Sequence, residues 1–432
     1  MSKTLRILYA AGPGDVIGTY RHWVEGHDDP SQVSITYSAQ FYEVCRALNA
    51  RGYVISSNPE RKFLRDGQFI LEHRPIPLQS SSGFLYHLGQ LWYGLWLIAS
   101  AVRFRSDVAV VANGSTHWFV LSILSWLGVA VIPSLHCTLW RKYLPQRKAE
   151  KLTLKLSRNF FARDCAAILT ASEDISEQVA QITAGQPRPT VPFLSTYRRS
   201  EFAGLDKPDQ KRSPFRVLFA GRIEPEKGVF DVLEIAKRMK TLGREDIRFD
   251  VCGNGSALES LRMNAKLAGV DSFFVCHGHC NKSQMREMFN QAHAVIVPTR
   301  TDFIEGFNQV LVEGVLAGRP VITSAVCPAL SYVRSAVVEV PPDDLTAYGD
   351  ALLKLCDDRK FYEQKQRSCK GLQEQFYAFS HSWEAKLKSI VVAIDQSKEP
   401  NPVFNLLQKL LEWLRSIAPR TEVANYQGQA PE

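Results

Sequence analysis

The 432-residue chain has nine cysteines, and none stands in Cys-x-x-Cys spacing to another. An odd, scattered set of thiols excludes a disulfide framework and fits a reducing compartment. Cys276, His277, His279 and Cys280 are crowded into five positions. Four ligands so close together do not converge tetrahedrally, and structural zinc sites draw on two separated pairs, so no metal is expected. No zinc-finger, RNA-recognition or other nucleic-acid module is visible, which excludes nucleic acid as the expected partner. The opening Met1 to Gly14 has too short an apolar core for a signal peptide and reads as a strand running into a glycine loop. A cytoplasmic protein is expected, resting peripherally on the membrane face. The second half of the chain has no charge surplus at all: residues 215–432 hold 27 Lys and Arg against 27 Asp and Glu. Residues 1–214 hold 25 against 17 and so carry the whole net charge of +8. Segment 141–163, with eight basic residues and the single acid Glu150, concentrates it. The partner of the first half is therefore expected to be anionic.

What is present is a series of short apolar runs alternating with helical patterns, in a chain long enough for two cores. Leu5 to Ala10 reads as a strand, and Gly12-Pro-Gly14 follows where a parallel strand would end. Asp15 to Tyr37 reads as polar and irregular, with His22, His27, Asp28 and Asp29 on a solvated loop. Phe41, Val44, Cys45 and Leu48 mark a helix, and Tyr53 to Ser56 a second strand. Residues 84–102 carry no formal charge over 19 positions, a length that can span a bilayer. His87, Gln90 and two glycines dilute the run, and a strand follows at Ser106, so a buried or membrane-facing helix is expected. Thr116 to Leu127 is read as a helix and Ala130 to Leu135 as a strand, with His136 just past its carboxyl end in either a structural or a catalytic role. Arg141 to Arg163 is mostly helical in pattern. Lys148, Lys151, Lys155 and Arg158 lie on one side and Ala149, Leu152, Leu156 and Phe160 on another, a face for anionic lipid or for solvent. Residues 196–214, with Pro208 and Pro214, read as a linker, and 401–417 as an amphipathic helix.

In the second half a strand ends at Gly221, and Arg222 and Lys227 flank the turn before a helix. Two cations there can clamp a diphosphate, or be ordinary surface charges. The organising stretch is Pro298 to Ser324, where a strand, a polar loop, a helix and another strand follow in order. Its two carboxylates are Glu305 and Glu313. If both were helical, eight residues would part them by roughly 12 Å, too far for a hydrolytic pair at about 5–9.5 Å. Between them, the N–H groups of Phe307 to Gln309 offer an anion site at the helix start. Carboxylate, anion hole and carboxylate suit a sugar, a diphosphate and a ribose. The alternative is that Glu305 caps the helix and Glu313 lies on a wet face.

Gly221-Arg222 with Lys227-Gly228, together with Glu305-x7-Glu313, resembles the retaining nucleotide-sugar glycosyltransferases of family 4. The resemblance implies a GT-B fold, with two Rossmann-like, doubly wound α/β domains facing a cleft. The domains would be 1–195 and 215–372, joined by the linker 196–214. Residues 373–395 would form a helix returning to the first domain, and 396–432 an amphipathic helix and tail. The resemblance further implies that Arg222 and Lys227 bind the donor diphosphate. Glu305 would face the donor sugar beside Gly306, Phe307 and Asn308, with Gly253 nearby. Glu313 would hold the ribose, His136 would contact the sugar near the broken bond, and Gly12 and Gly14 would lie on the acceptor side. Asn308 stands where the family commonly has glycine, the first loop lacks a doubled glycine, and 15–37 is long. The expected reaction is transfer, with retention, from a nucleotide-sugar co-substrate to a sugar or lipid-linked acceptor in cell-surface polysaccharide or glycolipid synthesis. No other cofactor is expected. A sugar-nucleotide epimerase and a non-catalytic nucleotide-binding or membrane-docking protein are the alternatives.

Overall fold

The computed structural model describes residues 4–79, 81–208 and 213–397, so the amphipathic stretch 401–417 falls outside the described residues. The first sheet holds β1 (Arg6–Ala11), β2 (Arg51–Ser56), β3 (Lys62–Asp66), β4 (Phe69–His73), β5 (Val108–Ala112), β6 (Ala130–Leu135), β7 (Ile168–Thr170) and β8 (Thr190–Pro192). Its order is β3-β4-β2-β1-β5-β6-β7-β8, and only the β3–β4 pair is antiparallel. The second sheet holds β9 (Phe215–Ala220), β10 (Ile247–Cys252), β11 (Phe274–Gly278), β12 (Ala294–Val297), β13 (Val321–Ser324) and β14 (Val337–Val340). It runs β11-β10-β9-β12-β13-β14 and is parallel throughout. Central strands such as β5, β12 and β13 are buried at every position, as the Val, Ile and Ala runs of β5 and β12 require when helices cover both faces.

Each sheet order reverses beside its first strand, between β1 and β5 and between β9 and β12. Such reversals open a crevice at the carboxyl ends of the strands, where ligands of α/β sheets bind. The chain returns to the first domain through the helix Trp383–Gln396. Trp383 Nε1 donates to Ser134 Oγ at 2.8 Å, and Gln40 Oε1 accepts from the Glu384 N–H at 3.0 Å.

Three local expectations change. Asp15 to Tyr37 is not irregular: Val16–Val24 is a helix, capped by Asp15, whose carboxylate accepts from Gly18 N at 2.7 Å. Val16, Ile17 and Tyr20 bury one side, a pattern masked by the polar residues between them. In Thr116 to Leu127, a 3₁₀ turn at Trp118–Leu121 precedes the short helix Ser122–Trp126. The basic segment is helical only over Lys148–Asn159, and a π-turn at Phe160–Asp164 ends it. Leu152 and Leu156 on that helix are exposed rather than packed. The uncharged run forms the helix Phe84–Phe104, lodged against the first sheet through Tyr93, Leu97 and Ala101. Among the described residues no helix is long and apolar enough to cross a membrane.

Candidate active site

Lys227 closes a 3₁₀ turn after β9, and Glu305 lies in the loop after β12, so both stand at the switch point of the second sheet. Lys227 Nζ meets Glu305 Oε2 at 2.7 Å, with the two side chains 16% and 7% exposed. The same oxygen accepts from Thr299 Oγ1 at 2.9 Å and Asn308 Nδ2 at 3.0 Å, while Oε1 accepts from Gly306 N at 3.0 Å. Four donors on one carboxylate fix its position and weaken it as a nucleophile. Glu305 is therefore no helix cap. That position belongs to Asn308, whose side chain accepts from Leu311 N at the start of Gln309–Leu316. Asn308 sits at φ 62°, in the left-handed region that favours glycine and that asparagine tolerates best among the rest. This accounts for asparagine at a position where the family commonly has glycine.

Lys227 Nζ also lies 4.1 Å from the centroid of the Phe303 ring, and the Arg222 guanidinium lies 5.5 Å from it. One aromatic ring thus gathers both cations. Arg222 is exposed and makes no side-chain hydrogen bond or ion pair among the described residues, which leaves its guanidinium available to an anion.

Glu313 lies within Gln309–Leu316 and is buried, which removes the wet-face alternative. No side-chain hydrogen bond reaches its carboxyl group among the described residues, and burial pushes it up to about 7. The Tyr197 hydroxyl nearby is buried without a partner among the described residues, and its own ionisation is pushed up first by burial and then by the Glu313 charge.

The first domain meets this loop through its main chain. Cys137 and Gly306 form an antiparallel bridge, and Thr138 N donates to Glu305 O at 3.2 Å. A Cβ on Gly306 would come within 2.9 Å of His136 O, so the close approach needs glycine. It is thus the His136 carbonyl that adjoins the loop. The imidazole packs against Tyr37 (ring centroids 4.3 Å apart) and Phe193, with Nε2 3.0 Å from Ser134 Oγ. Its Nδ1 is buried without a partner among the described residues, and burial lowers its pKa to about 4, so the ring is neutral near pH 7.

Other expected residues fall apart from this cluster. Phe307 turns its ring into the interior against Tyr332 and Phe376, leaving only its main chain at the loop. Gly253 serves the backbone, since a Cβ there would lie 1.7 Å from Gly221 O, where the loops after β9 and β10 cross. The carbonyls of Gly12 and Gly14 lie 3.0 and 2.5 Å from Ser56 Oγ, and no hydrogen bond of that loop reaches the second domain among the described residues. His277 Nε2 lies 2.8 Å from Asp250 Oδ1. Thr299, Phe303 and Thr138 escaped the reading from sequence. Thr299 alone left a signal, as a polar residue just past β12.

Two parallel sheets with paired switch points, and an acid–cation cluster where the domains touch, define a two-domain enzyme of GT-B fold that transfers sugar from a nucleotide-sugar. Residues 205–370 match the family described as glycosyl transferases group 1. The alpha-D-kanosaminyltransferase of Streptomyces kanamyceticus is 23% identical over 358 residues, 76% of this chain and 91% of that protein. The 2-deoxystreptamine N-acetyl-D-glucosaminyltransferase of Niallia circulans is 24% identical over 65% of this chain and 75% of its own. Among solved structures, Anabaena HepE in complex with UDP superposes with a TM-score of 0.61 at 14% identity, covering 96% of this chain and 100% of HepE. WaaG, a glycosyltransferase involved in lipopolysaccharide biosynthesis, does so with a TM-score of 0.63 at 13% identity, covering 89% and 99%.

Proposed function

We propose that the chain moves a hexosyl group, with retention and without a required metal, from a uridine diphosphate sugar to a sugar or lipid-linked acceptor at a membrane surface. The observation that carries this reading is the Lys227–Glu305 pair, locked by Thr299 and Asn308 beside a free Arg222. Arg222 and Lys227 bind the diphosphate and stabilise the charge that grows on it as the glycosidic bond breaks, the step at which fixed cations contribute most. Glu305 holds Lys227 in place and faces the donor sugar, with the main chain of Gly306 to Asn308 around it. Glu313 receives the ribose hydroxyls, which supply the donors its buried carboxyl group lacks. His136, neutral at working pH, contributes position rather than a proton. HepE is known in complex with UDP and with UDP-glucose, which supports a uridine donor. The relatives' names give kanosaminyl and N-acetylglucosaminyl as the groups moved, which supports a hexosyl donor.

The test is turnover of a panel of UDP-sugars with lipid-linked and soluble acceptors, following the anomeric configuration of the product by NMR. An axial donor linkage kept in the product supports the reading; inversion contradicts it. Products formed from the UDP-sugar alone would indicate an epimerase instead.

A further inference from the structure

We propose that the first domain binds the phosphorylated headgroups of an anionic lipid bilayer in a basic groove distinct from the cleft. The groove, of about 890 Å³, lies between the helix Phe84–Phe104 and the bare face of β2, β4 and β3. Cations reach it from three directions: Arg61, Lys62 and Arg65 from the edge hairpin, Arg6 and Arg51 from the strand starts, and Arg103 from the helix. Its one carboxylate, Glu72, is already neutralised by Arg74 at 2.7 Å and accepts from the Tyr53 hydroxyl. Arg51, Arg61, Arg65 and Arg103 make no side-chain hydrogen bond or ion pair among the described residues, so four guanidinium groups without a protein acceptor line one groove. Such an arrangement favours phosphate, which accepts from several guanidinium groups at once.

The same helix says what carries that phosphate. Phe84, Leu88, Trp92 and Leu95 are 79%, 41%, 54% and 54% exposed, at spacings that keep them along one side. Trp92 touches Trp96 edge to face at 6.1 Å, and Trp96 is itself a wall of the groove. An apolar strip therefore runs directly into a basic cradle, as an amphiphile with an anionic head requires and a small soluble anion does not. The crossovers β4 to β5, β5 to β6 and β6 to β7 all move the same way across parallel strands. Right-handed connections put their helices on one face of the sheet. That face also presents Trp126, 67% exposed, and Leu152 and Leu156 of the basic helix, 58% and 51% exposed. The surface lies on the bilayer and does not cross it.

The inference does not rest on the donor-site assignment, and its test is separate. The full chain is floated with vesicles of phosphatidylcholine alone and with one-third phosphatidylglycerol, at 0.1 M salt. Capture is expected only by the anionic vesicles. The triple variant Arg61→Glu, Arg65→Glu, Arg103→Glu should lose at least tenfold in partitioning, and so should Leu88→Ser, Trp92→Ser. Both should keep the wild-type melting temperature and nucleotide response, because the altered side chains are exposed or groove-lining. The proposal is overturned if anionic vesicles do not capture the wild type or the groove variant binds them as well as the wild type. It is equally overturned if only Lys151→Glu, Lys155→Glu, Arg158→Glu abolishes capture. Binding of glycerol 1-phosphate as tight as that of vesicles at equal phosphate would assign the groove to a soluble anion and overturn the lipid.

Discussion

Two carboxylates eight positions apart have opposite surroundings, and their chemistry follows from that. Glu305 accepts from four donors, whereas Glu313 is buried with none on its side chain among the described residues. Burial raises Glu313 from the ordinary 4.5 to about 7, so between those values the folded protein keeps a proton that the unfolded chain has lost. The associated stability is fully present below about 4.5 and is lost as pH rises through about 7. Glu313→Gln should therefore raise the melting temperature above wild type at pH 8, by on the order of 2–3 kcal/mol of stability, and change little at pH 4. If ribose hydroxyls bond the carboxylate, nucleotide binding must release this proton and tighten as pH rises through 7. Calorimetry in buffers of different ionisation enthalpy checks the release, and Glu313→Gln should abolish it. Arg222→Ala removes an exposed cation whose side chain has no hydrogen bond or ion pair among the described residues and only the Phe303 ring beside it, so turnover should fall about 10²-fold with little change in melting temperature. Both acids were legible in the sequence by their spacing. Their opposite states were not, because the cation that neutralises Glu305 comes from 78 residues away.

The helix Gln309–Leu316 depends on how it starts. Asn308 combines a left-handed backbone, a side chain that caps Leu311 N and a bond to Glu305. Asn308→Gly keeps the backbone and loses the rest; Asn308→Ala loses all three. Denaturant unfolding should find the alanine variant less stable than the glycine variant by about 1 kcal/mol, and both should turn over more slowly because Glu305 loosens. Strand existence was legible wherever both faces are covered, as at β1, β5, β6, β9 and β12, since those runs are apolar at all or nearly all positions. The hairpin β3–β4 was not, because Lys62 to Asp66 is an exposed edge with a charged sequence. The helix Val16–Val24 hid for the opposite reason: its apolar face is short and its Asp15 cap resembles a loop residue.

At the scale of the whole molecule, function rests on two switch points brought face to face. The Cys137–Gly306 bridge and the bond from Thr138 to Glu305 join the loop after β6 to the loop after β12. Trp383 pins the returning helix beneath them on Ser134, the residue that also contacts His136. Trp383→Phe, which keeps an aromatic ring but loses the donor and some buried volume, should lower stability as well as turnover, because a cavity opens and Ser134 no longer holds a fixed orientation. Steady-state rates compared with melting temperatures check this. The most direct test of the central claim is the melting temperature of the full chain with UDP, GDP and ADP, each with EDTA present. Ligand that binds only the folded state adds about 2.7 kcal/mol at a hundredfold excess over Kd. The account predicts a rise with UDP that EDTA leaves intact and that Arg222→Ala, Lys227→Ala diminishes. No rise with any nucleotide, or a rise that survives both substitutions, would contradict it.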